Sequence, residues 1–197
     1  MAMAEAAPAQ SYPVTYDIQY PQELSRWLIF VKWLLAIPHL IILYALGIAS
    51  ALVTFVAFFA ILFTKQYPRG LFDFVVNVNR WSANITAYTF LMRDEYPPFS
   101  WEPGQYPVTY DVQYPAELSR WLIFVKWLLV IPHLIVLLFV YIVAYIVLFI
   151  AFFAILFTKT FPEAMFTFVL GMLRWSARVN AYTNLMRDEY PPFSMNP

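Results

Sequence analysis

The 197-residue chain contains no cysteine, which excludes disulfides, thiolate metal sites and a cysteine nucleophile. It has only 2 histidines and 4 glycines, and no phosphate-binding loop, HExxH or GxSxG pattern is present. No catalytic signature remains, so enzymatic activity is not expected. Charged residues make up only 12% of the chain, too few to coat a water-soluble globule of this length. The 12 basic residues balance the 12 acidic ones, and no Lys/Arg run marks a polybasic tail, so nucleic acid is not an expected partner. What is abundant is apolar: 62% of residues are hydrophobic and 20% aromatic. This composition belongs in a lipid bilayer. Residues 1–11 lack a basic segment followed by an apolar core and read as a short disordered leader, not a cleavable signal peptide.

The remainder repeats. Residues 12–103 align with 106–197 without an insertion, and roughly two-thirds of the positions are identical. In each copy one charge-free stretch is long enough to span a bilayer, Leu40–Phe63 and Leu134–Phe157. The apolar run actually begins earlier, at Trp27, but the whole is too short for two spans of about 20 residues each plus a turn. Pro38 marks a break between a separate short helix and one long helix. One span per copy is an odd number, so the second copy enters from the opposite side. The expected fold is an all-α membrane protein with two antiparallel spans forming an inverted repeat. Gly47, Ala49, Ser50 and Ala51 in the first span stand where the second has Tyr141, Val143, Ala144 and Tyr145. The small patch could receive the bulky one, or either could pack against lipid or a partner.

Each unit reads as a short strand, an interfacial helix, the long transmembrane helix and an amphipathic interfacial helix. Val14–Tyr20 and Val108–Tyr114 alternate with period two. On the inverted topology these strands lie on opposite membrane faces and cannot pair within one chain. In the helix before each span, Arg26 and Lys32, with Arg120 and Lys126, can reach headgroups, while Trp27, Trp33, Trp121 and Trp127 suit interface anchoring. After the spans, Leu71–Met92 places Val75, Val78, Trp81, Ile85 and Tyr88 opposite Asp73, Asn77, Arg80 and Asn84. The second copy places Trp175 opposite Arg174 and Arg178 in the same way. Counted over the two membrane sides, Lys and Arg divide evenly, so the positive-inside rule assigns no orientation.

His39 and His133 are candidate cofactor ligands at the span mouths, where an imidazole could hold a haem or a chlorin. The alternative is an interfacial histidine bonded to headgroups or helix-end backbone. Inversion places the two about 35–40 Å apart, so one chain cannot bring both to one metal, and no cofactor or metal is expected. The paired carboxylates Asp94-Glu95 and Asp188-Glu189 sit on extended chain, where neighbours point apart, and suit a solvated rim or subunit contact better than acid/base work. Arg80-Trp81 and Arg174-Trp175 suit lipid phosphate, a carboxylate or a partner.

The repeated elements Tyr-Pro-Val-Thr-Tyr-Asp, Arg-Trp-Leu-Ile-Phe-Val-Lys-Trp-Leu-Leu, Ile-Pro-His-Leu and Arg-Trp-Ser-Ala resemble a family of prokaryotic membrane proteins known as a domain of unknown function, often found in tandem. The resemblance covers nearly everything beyond the leader. It implies an integral protein of the prokaryotic cytoplasmic membrane and brings no activity or cofactor with it. The expected function is a non-catalytic scaffold or accessory subunit, with the bilayer and other membrane subunits or further copies as partners. Lipid or small-hydrophobe transport and pigment or haem holding are the alternatives.

Overall fold

The structure, a computed structural model, describes residues 12–196. The expected leader over residues 1–11 lies outside the described residues. Each copy forms one strand and three helices. The first has β1 (Val14–Ile18), α1 (Leu28–Leu35), α2 (Ile37–Thr64) and α3 (Arg69–Thr89). The second has β2 (Val108–Val112), α4 (Leu122–Leu129), α5 (Ile131–Thr158) and α6 (Glu163–Thr183).

The break expected at Pro38 falls at Ala36. Proline occupies the first turn of α2, where its missing N–H costs nothing. Hydrogen bonds from the Ala36 N–H to Lys32 O and from the Leu40 N–H to Ala36 O, both 2.9 Å, bridge the break. The resulting runs Leu28–Thr64 and Leu122–Thr158, 37 residues each, are long and apolar enough to cross a membrane.

The start of each run stands beside the end of the other. The Leu24 N–H bonds Lys159 O at 2.8 Å, Arg26 bonds Phe157 O at 3.1 Å, and the Phe30 and Phe152 rings meet at 5.2 Å. The reciprocal contacts are Leu118 N–H to Lys65 O at 2.8 Å, Arg120 to Phe63 O at 3.0 Å and Phe58 with Phe124 at 5.2 Å. End to end, the runs are therefore antiparallel.

The strands overturn one expectation, for β1 and β2 pair with each other, antiparallel, with Tyr16 opposite its own copy Tyr110. The inverted topology alone puts each strand at the level of the helix it precedes. Residues 19–24 instead form an irregular connection with a bend at Gln22, which can reach at most about 20 Å and lets each strand stand away from the end of its own helical run. A pseudo-two-fold axis passing between Tyr16 and Tyr110 exchanges the two ends of the molecule, so the centre of the ribbon is equidistant from both.

The ribbon packs on α3 and α6, and these pack in turn on α2 and α5. The two post-span helices are amphipathic, but the chain itself covers their apolar sides: Val75, Val78, Trp81, Ile85 and Tyr88 are buried, as are Val169, Met172, Trp175, Val179 and Tyr182. The small patch of α2 does not receive the bulky patch of α5. A Cβ on Gly47 would meet nothing within 4 Å, whereas the Tyr141 hydroxyl donates to Ser176 Oγ at 3.0 Å and Tyr145 packs against Phe90.

Candidate functional site

Four polar arrangements occur twice, two of them within each copy and two of them across the copies. The deepest centres on a lysine in an otherwise apolar helix. Lys32 is 1% exposed; its Nζ lies 2.8 Å from Asp94 Oδ1, donates to Arg93 O at 2.7 Å and stands 5.1 Å from the Tyr88 ring centre. Asp94 Oδ2 accepts the Ser25 N–H at 2.5 Å. Lys126 repeats this with Asp188 at 2.8 Å, Arg187 O at 2.7 Å and Tyr182 at 5.0 Å. Lys32 and Lys126 therefore do not reach headgroups. An ammonium held this deep must be paired within the protein, and the carboxylate of its own copy takes that role. The adjacent carboxylates do point apart: Asp94 turns inward while Glu95 turns outward to pair with Arg93.

His39 is fully buried. Its Nδ1 accepts the Trp81 indole N–H at 3.2 Å, and its ring stacks on Phe99 at 3.9 Å and 14°. His133 does the same with Trp175 at 3.0 Å and Phe193 at 3.8 Å and 14°. An Nδ1 that accepts leaves the proton on Nε2, and both Nε2 atoms are buried without a partner among the described residues. This tautomer offers N–H where a metal needs a lone pair, so haem or chlorin binding at Nε2 would require both rings to change tautomer and lose the indole bond. Among the described residues, no group of three or more His, Cys, Asp or Glu side chains could hold a metal. Trp81 and Trp175, 6% and 4% exposed, serve the core and are not lipid or partner contacts.

Arg80 and Arg174 clamp the ribbon. Arg80 bonds Tyr110 O at 3.0 Å, Asn77 Oδ1 at 2.7 Å and Asp111 at 3.3 Å. Arg174 bonds Tyr16 O at 3.0 Å and Asp17 at 2.6 Å. Of the options the sequence leaves open for them, they meet a carboxylate, and it comes from the strand packed on their own helix.

The fourth arrangement lies at the two ends of the molecule. Glu23, Leu24, Ser25, Arg26, Trp27 and Lys159 line a hollow of about 580 Å³. Their counterparts Glu117, Leu118, Ser119, Arg120, Trp121 and Lys65 line one of about 470 Å³. Trp27 and Trp121 are 78% and 80% exposed, and Trp33 and Trp127 are also exposed. Of the expected contact residues, Arg26, Trp27, Trp33, Arg120, Trp121 and Trp127 thus remain open to a partner. Sequence reasoning missed Lys65 and Lys159, and with them the roles of Asp94 and Asp188 as lysine partners. The available signal was a single lysine in each apolar helix, which demands a carboxylate from elsewhere in the chain.

The chain belongs to the family described as a domain of unknown function (DUF4389), whose family model matches residues 26–100 and again 120–195. The two matches are a tandem repeat of that domain. No curated protein and no solved structure matches the chain.

Proposed function

We infer that this protein is a non-catalytic integral membrane scaffold, held in the prokaryotic cytoplasmic membrane and assembled with further copies of itself or with a larger membrane complex. One observation carries the reading. The ribbon's outer face is polar, exposing Thr15, Asp17, Thr109 and Asp111, and its centre is equidistant from the two ends of the molecule. With the helical runs crossing a bilayer, that face falls at mid-depth, where lipid cannot solvate it. Protein, or water enclosed between protein copies, must cover it. The long helices support the membrane placement: side chains such as Ile41, Tyr44, Ile48, Leu52, Phe55 and Phe59 of α2 are exposed, a surface that suits lipid and partner helices.

The full chain purified in mild detergent should migrate as a stable oligomer or with reproducible companions. Asp17→Lys combined with Asp111→Lys, which sets like charges against Arg174 and Arg80, should disperse it. A wild-type monomer without companions would remove the scaffold reading. The same polar face favours a second reading, transport along a wetted path between copies. Solute or lipid flux in proteoliposomes, abolished by the same double substitution, would select it.

A further inference from the structure

We propose that the two end hollows are matched binding sites for the phosphodiester headgroup of a glycerophospholipid, one at each end of the helical runs. The inference rests on the membrane reading above and adds a ligand class and residues to it. At one end Arg26 gives a single N–H to Phe157 O, and among the described residues the rest of its guanidinium fork is free. Lys159 spends one donor on Glu23 at 2.6 Å and keeps two. At the other end Arg120 bonds Phe63 O and Lys65 faces Glu117 at 3.6 Å. Each hollow holds two cations and one carboxylate. The carboxyl of Glu23 is held below its ordinary value by the Lys159 hydrogen bond and charge, so the site carries one net positive charge. A phosphodiester carries one negative charge, and a guanidinium beside an ammonium is the donor set that phosphate selects. The exposed Trp27 and Trp121 beside them suit headgroup depth.

The backbone supplies a second, independent observation. Lys65 and Lys159 close their helices in the left-handed conformation, φ 61° and 62°, the position where glycine is favoured because a side chain there costs about 1 kcal/mol or more. The sequence keeps lysine at this place in both copies, whereas Gln66, Tyr67, Arg69 and Gly70 just beyond are replaced by Thr160, Phe161, Glu163 and Ala164. Nothing in the left-handed cap calls for an ammonium, since Leu91 and Leu185 take the same conformation without one, so the charge that both copies carry there is available for binding. Each site also joins the copies, since Lys159 completes a hollow otherwise made from residues 23–27, and Lys65 completes its counterpart.

The test is native mass spectrometry of the full chain released from nanodiscs of phosphatidylglycerol and phosphatidylcholine, comparing wild type with Lys65→Gly, Lys159→Gly and the double variant. Glycine fits the left-handed cap, so thermal stability should hold or rise, which separates lost binding from lost folding. Wild type should retain two phosphatidylglycerol molecules and each single variant one. The double variant should need roughly tenfold more lipid for the same occupancy, a loss of about 1.4 kcal/mol per site. Equal occupancy in all four proteins overturns the proposal, as does displacement of the lipid by excess inorganic phosphate, which would make the sites anion sites and not lipid sites. A chain that enters membranes but emerges without phospholipid overturns the proposal and leaves the membrane reading standing. A chain recovered only in the soluble fraction overturns both.

Discussion

The first copy, α1 to α3 with its tail, and the second, α4 to α6 with its tail, carry the same polar skeleton but close it with different parts. The lysine–aspartate distance is 2.8 Å in both copies, and the histidine stacks on its phenylalanine at 3.9 and 3.8 Å. The copies diverge along the faces between these points. Where α3 carries Asn77, α6 has Gly171, and Met195 of the C-terminal tail lies so close that an added Cβ would come within 2.7 Å of its Cβ. Where α3 buries Asn84, α6 buries Arg178, which donates to Ser194 O at 3.3 Å and to Asn196 O. The first copy instead continues through Trp101, whose carbonyl accepts from Arg80 at 3.1 Å. The Lys–Asp and His–Trp pairs are the same in both copies because losing either member leaves the other unpaired, whereas Gly171 and the buried Arg178 differ from Asn77 and Asn84 together with the C-terminal tail that packs on them.

The largest effect should come from Lys32→Met. It leaves Asp94 without its ammonium and should cost about 3 kcal/mol, the low end for breaking a buried pair because the carboxylate is partly exposed. Lys126→Met should cost the same. Adding Asp94→Asn to Lys32→Met should recover much of the loss, since no unpaired charge then remains while an oxygen still accepts from Ser25. Chemical denaturation of both single variants tests the equivalence of the copies, and losses differing by more than about 1 kcal/mol would break it.

Glycine separates the copies by sign. Gly171→Ala forces the C-terminal tail aside and should destabilise by about 1–3 kcal/mol. Gly47→Ala meets open space in mid-helix and should stabilise by about 0.5–1 kcal/mol. Thermal unfolding of the two variants should shift in opposite directions. Arg178→Asn, which installs the first copy's residue, should cost about 1–2 kcal/mol and raise hydrogen exchange around Ser194–Asn196 without affecting residues 100–102.

The smallest effect is on pH dependence. Burial pushes the Glu95 and Glu189 carboxyls up, but the hydrogen bonds and charge of Arg93 and Arg187 outweigh it, and the net shift is downward. A carboxyl lowered in the folded state contributes stability above its unfolded value, near 4.3, and that contribution disappears as pH falls through the folded value. Both side chains are about half exposed, so screening limits the loss to below about 1 kcal/mol per site. Unfolding midpoints measured from neutral to acid pH should show Glu95→Gln and Glu189→Gln removing equal parts of the decline.

The long helices were legible because an apolar run without charge has few alternatives, and Pro38 with its copy Pro132 marked where each run divides. The strand alternation was legible for the same kind of reason, as period two shows in five residues. Its pairing was not. Pairing depended on how far residues 19–24 carry the chain from the ribbon to Lys159, and no local pattern encodes the path of an irregular connection. Lys32 was misplaced because a lysine in an aromatic helix fits headgroup contact as well as an internal pair, and Asp94 lies 62 positions away. His39 was visible as a lone imidazole, but its tautomer depended on Trp81, a neighbour only in three dimensions.

Tyr16 opposite Tyr110 is the contact that two separate single-unit chains would make across a dyad. A chain carrying one copy would present an unpaired strand and an end hollow without its closing lysine, and would complete both only by meeting a second such chain. The tandem protein is, in effect, a homodimer whose subunits have been tied by the short stretch from Ser100 to Gln105. Its dimerisation is thereby independent of concentration, and each half is free to diverge from the other.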